Sequence, residues 1–215
     1  MKNRFYMACL RDTVGTNTAF HCIDGGGYST DISSAHIYTL QEAQLAWDKG
    51  REFDQPMAAD LVDSLSEWHV DCQVIPNESV FTPGCTCYVA FVKGDWDGND
   101  VYWVTNRHGP VTNFLLAHHY DAPDESMDGV VWLPFNLADV CKRRTFRLTQ
   151  FNPRSMVQGP GLKVPEHIKR SRRKSVSHGK TRWNCPGCGK ISWQDSPYDF
   201  AGCRHFTCDE WRKEV

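Results

Sequence analysis

The sequence predicts an α+β protein: an N-terminal mixed α+β domain, then a basic linker, then a small C-terminal module. Three observations support this class. Strand-like apolar segments alternate with helical patterns in the first part of the chain, a stretch rich in proline, glycine and basic residues follows, and closely spaced cysteines lie near the C-terminus. The predicted domains are 1–150, 151–182 and 183–215, and the first divides into residues 1–70 and a β-rich part, 71–150.

The first elements of the chain are two predicted strands. Residues 4–10 and 18–23 are apolar and partly aromatic, as strands commonly are. The second runs into three consecutive glycines, 25–27, which have free choice of φ and predict a turn.

Two helices are predicted next. Thr39 and Glu42 have the spacing of a capping box that opens a short helix, and Gly50 is placed to end it. A second helix is predicted from Pro56 to Trp68, because proline is favoured in a first turn and an apolar stripe follows at helical spacing.

The middle of the chain has the pattern of β-structure. Residues 88–92 and 101–104 flank a polar turn and predict a hairpin, and residues 130–133 predict another strand. A short helix over 137–142 and a strand over 145–148 complete the first domain.

The charges are strongly segregated. Residues 1–141 carry 7 Lys/Arg and 20 Asp/Glu, whereas residues 142–182 carry 13 Lys/Arg and a single acid, Glu166. Residues 151–182 are predicted to be a flexible linker, since so few apolar residues bury little surface against the ordering entropy. The segregation indicates an anionic partner for the basic segment, with the acidic first domain as a competitor for it.

Four cysteines at the C-terminus have the spacing of a metal site. Cys185 and Cys188 form a C-x-x-C pair, and Cys203 and Cys208 supply the second pair. Zinc takes four such ligands in a tetrahedron, and a set supplied entirely by the protein is structural, because catalytic zinc keeps a position open for water. One structural Zn²⁺ in a zinc-ribbon-like module is therefore predicted. His205 is the alternative to Cys203; the cysteine is favoured because thiolate is the stronger ligand.

Other groups carry weaker signals. A second metal site would use His69, Cys72, Cys85 and Cys87, although core cysteines around a strand junction are the favoured interpretation. The candidates for acid–base chemistry are His118, His119 and Asp121, but no serine or cysteine nucleophile lies at a recognisable spacing from them. A solvated hairpin turn is favoured over a calcium loop at 95–100. No catalytic residue is assigned, and the protein is not expected to be an enzyme.

The basic segment beside the cysteine module predicts a nucleic-acid contact. Lysines and arginines release counterions from phosphates, and exposed aromatic rings stack on bases. The predicted contact residues are Lys169, Arg170, Arg172, Arg173, Lys174, Lys180, Arg182 and Trp193.

Residues 4–50 resemble a small N-terminal module in accessory proteins of bacteriophages and prophages. The matching segments are Leu10-Arg11-Asp12-Thr13-Val14-Gly15, Gly27-Tyr28-Ser29-Thr30-Asp31-Ile32, Ala35-His36-Ile37-Tyr38-Thr39 and Glu42-Ala43. The resemblance implies a phage or prophage origin rather than an activity.

These observations favour a non-enzymatic, zinc-containing, nucleic-acid-binding accessory protein. The alternative is a protein-binding factor that inhibits or redirects a host defence or transcription component; an enzyme with a site in the middle domain is the third hypothesis. No stretch approaches the ~18 apolar residues of a membrane span, and residues 1–13 lack the apolar core of a secretory signal. A cytoplasm is therefore the expected location, that of the host cell if the protein is phage-encoded, with no membrane partner and no small-molecule cofactor.

Overall fold

The chain folds into two compact units, Met1–Lys163 and Val164–Val215. Both helices and sheets are present, in agreement with the predicted mixed class. The computed structural model describes, with side chains except at 172–176, residues 3–106, 109–124, 126–176, 179–196 and 198–211.

A four-stranded antiparallel sheet forms the first part of unit 1. Its strands are β1 (Phe5–Val14), β2 (Asn17–His21), β3 (Tyr28–Ser29) and β4 (Asp54–Ala58), and they lie in the order β3-β2-β1-β4. The first five residues of β1 are buried, which explains their continuous apolar character. The first two predicted strands are confirmed.

Helix α1 (Leu40–Lys49) lies between β3 and β4 along the chain and has the predicted caps. The Thr39 hydroxyl accepts from the Glu42 N–H, and the Glu42 carboxylate accepts from the Thr39 N–H at 2.8 Å. The N–H of Gly50 caps the last turn by donating to the Trp47 carbonyl. Trp47 is fully buried, so this helix is held by a tryptophan on its inner face.

The predicted helix over 56–68 is wrong in its extent. Residue Pro56 lies instead in β4, opposite Met7 of β1, and helix α2 (Ala59–Leu65) is only two turns long. Strand β5 (Glu67–Val70) then contains Trp68. Because β4 is an edge strand, a proline is tolerated there; its missing N–H need not remove a ladder hydrogen bond.

The second part of unit 1 contains two further antiparallel sheets. Strands β6 (Tyr88–Asp97), β7 (Asp100–Trp103) and β8 (Val130–Pro134) lie in the order β7-β6-β8, and β5 pairs with β9 (Lys142–Thr145). The predicted hairpin and the strand over 130–133 are confirmed.

The end of this part differs from the prediction. Helix α3 (Phe135–Asp139) begins two residues before the predicted helix, and β9 lies three residues before the predicted strand. Pro134 stands at the N-cap and makes no side-chain cap hydrogen bond, so no capping side chain marks this helix start in the sequence.

The two parts of unit 1 meet through their hairpin turns. An added Cβ at Gly98 would lie 2.4 Å from the Gly15 nitrogen, so a side chain at this contact has no room. The Thr16 N–H donates to the Asp97 carboxylate at 3.0 Å, and the Thr18 N–H donates to the Phe146 carbonyl at 2.8 Å. The two predicted parts, 1–70 and 71–150, therefore lie within one compact unit.

The predicted linker contains regular structure. A π-helical turn (Arg154–Gln158) belongs to unit 1, where Met156, Val157 and Leu162 are buried. Because these apolar residues are buried within unit 1, the boundary between the units falls at residue 163 rather than at 150. The flexibility of the remaining linker residues stays a prediction.

The described residues of unit 2 form one helix and one hairpin, joined to irregular segments. Helix α4 (Glu166–Val176) occupies the basic segment, and β10 (Thr181–Asn184) pairs with β11 (Ile191–Gln194). Within the described parts of the chain, no helix has the length and apolar character needed to cross a membrane.

Candidate metal centre and the surface around it

The turn that joins β10 to β11 carries the first cysteine pair. The Cys185 N–H donates to the Lys190 carbonyl at 2.9 Å, and the Gly189 N–H donates to the Cys185 carbonyl at 2.8 Å, which closes a tight loop. Gly189 has a φ of +70°, a conformation that costs other residues about 1–2 kcal/mol. The sequence Cys-Pro-Gly-Cys-Gly thus folds its two thiols toward one point.

The second pair comes from the irregular segment after β11. The Cys203 N–H donates to the Glu210 carbonyl, and the Cys208 N–H donates to the His205 carbonyl at 2.9 Å. The buried amide of Gln194 donates to the Gly202 carbonyl at 2.8 Å and so fixes the start of this segment. A Cβ on Gly187 would lie 3.2 Å from the Cys208 sulfur, so the absence of a side chain there lets the two halves close together.

The four sulfurs form one compact group. The Sγ atoms of Cys185 and Cys208 lie 3.5 Å apart, those of Cys188 and Cys203 lie 3.6 Å apart, and all four lie within 4.8 Å of one another. A tetrahedral ion with metal–sulfur bonds of about 2.3 Å places its sulfurs about 3.8 Å apart, whereas a disulfide requires about 2.05 Å. The cysteines are reduced, and together they could bind one metal ion.

Backbone N–H groups point at these sulfurs and influence their ionisation. Burial would raise the pKa of Cys185, but hydrogen bonds from the Cys188 and Gly187 amides outweigh it and lower that pKa to about 7. At Cys208 the Glu210 amide acts to lower the pKa, yet burial and the three neighbouring thiols raise it to about 12. Four thiolates this close therefore need a cation among them to be ionised together.

The structure separates the two alternatives for the fourth ligand. The group of four contains the sulfur of Cys203, and the His205 N–H lies 3.4 Å from that sulfur. The His205 imidazole instead contacts the Thr207 hydroxyl through Nδ1 at 2.7 Å and stacks on Phe206. The histidine flanks the group rather than joining it.

His69 lies in a buried polar network and not with the cysteines at 72, 85 and 87. Its side chain is fully buried, and its Nδ1 lies 2.5 Å from the equally buried Asp100 carboxylate. Since an ionised carboxylate only accepts, the imidazole N–H donates to Asp100. Among the described residues, the C-terminal cysteines form the only group of potential metal ligands.

The network extends through both parts of unit 1. Asp100 also accepts from the Asn17 amide at 2.5 Å and from the Arg143 guanidinium at 2.7 Å. On the other side of the ring, His69 Nε2 lies 3.4 Å from the Thr112 hydroxyl, which accepts from Arg147. Asp100 is thus buried, although the sequence places it in a turn that was expected to be solvated. Its partners are 31 to 83 residues away along the chain, so sequence spacing gave no sign of them.

The two histidines considered for acid–base chemistry each pack against an aromatic ring, and Asp121 is exposed. The ring of His118 contacts Tyr120 at 4.4 Å, and the ring of His119 contacts Phe135 at 4.6 Å. Both are edge or tilted aromatic contacts, which fit a packing role.

The predicted nucleic-acid contacts lie in different environments. Lys169 pairs with Glu166 at 2.7 Å, and Lys180 lies 3.8 Å from Asp195. Arg170, Arg182 and Trp193 are exposed. The side chains of Arg172, Arg173 and Lys174 lie outside the described residues.

Comparison of the chain with protein-family models, with curated protein sequences and with solved structures finds no match.

Proposed function

We propose that unit 2 is a zinc-organised nucleic-acid-binding module and that the protein is not an enzyme. Zinc is the metal that suits four thiolates in a tetrahedron, and a ligand set without an open position serves structure rather than catalysis. A unit of 52 residues cannot bury enough apolar surface to be very stable alone, so a metal is a common remedy.

The basic side chains of unit 2 carry the nucleic-acid proposal. In unit 1, six arginines form ion pairs with carboxylates: Arg4, Arg11, Arg51, Arg143, Arg144 and Arg147. In unit 2, four exposed basic residues have no such pair among the residues that the structure describes: Arg170, Arg182, Lys190 and Arg204. The described part of unit 1 also has exposed basic residues without an ion pair, at 49, 93, 154 and 163, but they lie in an acidic unit.

The feature that distinguishes unit 2 is its net charge. Residues 164–215 contain 11 Lys/Arg and 6 Asp/Glu, whereas residues 1–163 contain 13 and 20. Unpaired, exposed cations on a basic unit are free to neutralise phosphates, which makes nucleic-acid affinity depend steeply on salt.

A charge-neutralisation experiment tests the proposal. Changing Arg170, Arg182, Lys190 and Arg204 together to glutamine is expected to reduce the slope of log affinity against log salt on duplex DNA by about 3.6, since each of the four phosphate contacts contributes ~0.9. Fluorescence anisotropy with a labelled oligonucleotide over a salt series measures this slope.

Four exposed basic residues of unit 1 provide a matched control: Lys49, Lys93, Arg154 and Lys163. Changing them to glutamine removes the same charge and is expected to leave the slope unchanged. Equal slopes for the two variants would show that net charge alone is responsible.

A wild-type protein without salt-sensitive binding would favour the alternative, a protein-binding accessory factor. The phage or prophage origin stays a prediction.

A further inference from the structure

Two tryptophans lie on opposite faces of the β10–β11 hairpin. The register pairs Arg182 with Trp193 and Trp183 with Ser192. Side chains of directly opposed residues share a face, and successive residues alternate between faces. One face therefore carries Trp183, Ser192 and Gln194, and the other carries Arg182, Asn184, Ile191 and Trp193, which we call the open face.

The first face is used by the fold. The Trp183 indole N–H donates to the Ser196 carbonyl at 3.1 Å, and its ring lies 6.0 Å from that of Phe200. Ser192 and Gln194 are buried and hydrogen-bonded to each other at 3.1 Å. This face packs against the segment that carries Cys203.

The open face is exposed along its whole length. Trp193 has 52% of its surface exposed and Ile191 has 54%, and Arg182 and Asn184 are also exposed. Within the described chain, the indole of Trp193 has neither a ring partner nor a hydrogen bond. Trp183 therefore makes contacts that stabilise the unit, whereas Trp193 makes no ring contact or hydrogen bond within the described chain. The indole of Trp193 lies at the surface, on the residue paired with Arg182.

We infer that the open face binds unpaired bases, so that the module prefers single strands over duplex. This inference rests on the proposed function. A tryptophan on a flat strand surface offers a plane on which one base can stack, and the neighbouring arginine can reach its phosphate or continue the stack. In a duplex the base planes are covered by their neighbours, so the ring has no base on which to stack. The face then binds only through the charge of its arginine, as any basic surface does.

The test compares the two strand states of one oligonucleotide. The probe is a labelled strand of about 12 nucleotides, as DNA and as RNA, alone and annealed to its complement. Trp193→Ala is expected to weaken single-strand binding by about tenfold or more, because the stacked base is lost, and to change duplex binding by less than about twofold. Trp193→Phe keeps an aromatic plane and is expected to retain most of the single-strand affinity.

Ile191→Ala is the matched control on the open face, since it removes exposed apolar surface without removing a stacking plane. Zinc content equal to that of the wild type shows that each variant is folded. Equal losses of affinity for single strand and duplex, or no loss of affinity in Trp193→Ala, would overturn this inference. If the wild type still binds in a salt-sensitive way, the proposed function stands. Absence of salt-sensitive binding by the wild type would overturn both.

Discussion

Replacing Cys185 with serine is expected to remove the metal from unit 2 and to unfold that unit, while unit 1 keeps its structure. A serine hydroxyl does not ionise to replace the thiolate, so one of four ligands is lost. Because binding of a structural zinc is coupled to folding, with about 10–16 kcal/mol available in small zinc peptides, the effect on a unit this small is large. Elemental analysis of protein purified without added metal should fall from about one zinc per chain to nearly none.

The four-sulfur geometry makes this prediction specific to the residues involved. Cys188→Ser and Cys203→Ser should act like Cys185→Ser, even though Cys188 is exposed. His205→Ala should keep its zinc, since the imidazole lies outside the group, and Cys22→Ser controls for loss of a thiol in unit 1. Nitrogen–proton correlation spectra would show which unit loses its dispersed signals. Full zinc content in Cys185→Ser would contradict the assignment.

Replacing Asp100 with alanine is expected to destabilise unit 1 by about 3–5 kcal/mol, which is a large part of the stability of a typical domain. The change leaves the guanidinium of Arg143 and the buried imidazole of His69 without their common acceptor. It also removes the acceptor of Asn17 in β2, so the contact between the two parts of the unit is weakened. Urea denaturation followed by tryptophan fluorescence measures the loss.

Asp95→Ala is the matched control, because Asp95 lies in the same hairpin and is exposed. Its effect is expected to stay within about 0.5 kcal/mol. The zinc content of both variants should equal that of the wild type, since the change lies in the other unit. An Asp100→Ala protein as stable as Asp95→Ala would show that the network contributes no net stability.

The features that were predicted from the sequence depend on short-range chemistry. The capping box needs only Thr39 and Glu42, three residues apart, and the cysteine group begins with a C-x-x-C turn in which glycines permit the close approach. The hairpin around residue 98 likewise follows from two apolar segments and the residues between them. Each of these signals lies within a few neighbouring residues, so it does not depend on contacts with distant parts of the chain.

The features that were missed depend on contacts far along the chain. The neighbours of Pro56 in the sequence predict a helix start, yet its segment pairs with β1 at Met7 and is an edge strand. The burial of Asp100 follows from partners in three other strands, and no spacing rule connects them. The open face also depends on register: a shift of one residue between β10 and β11 would place Trp183 and Trp193 on the same face.

The most direct measurement follows nucleic-acid affinity in one sample through removal and return of zinc. Single-strand affinity is measured for the zinc-loaded protein, after chelation and dialysis, and after addition of about one equivalent of zinc. We expect affinity to fall by about tenfold or more on chelation, because the open face loses its support, and to recover with zinc. Metal-free protein that binds as tightly as the zinc-loaded protein would contradict the claim that zinc organises the binding surface.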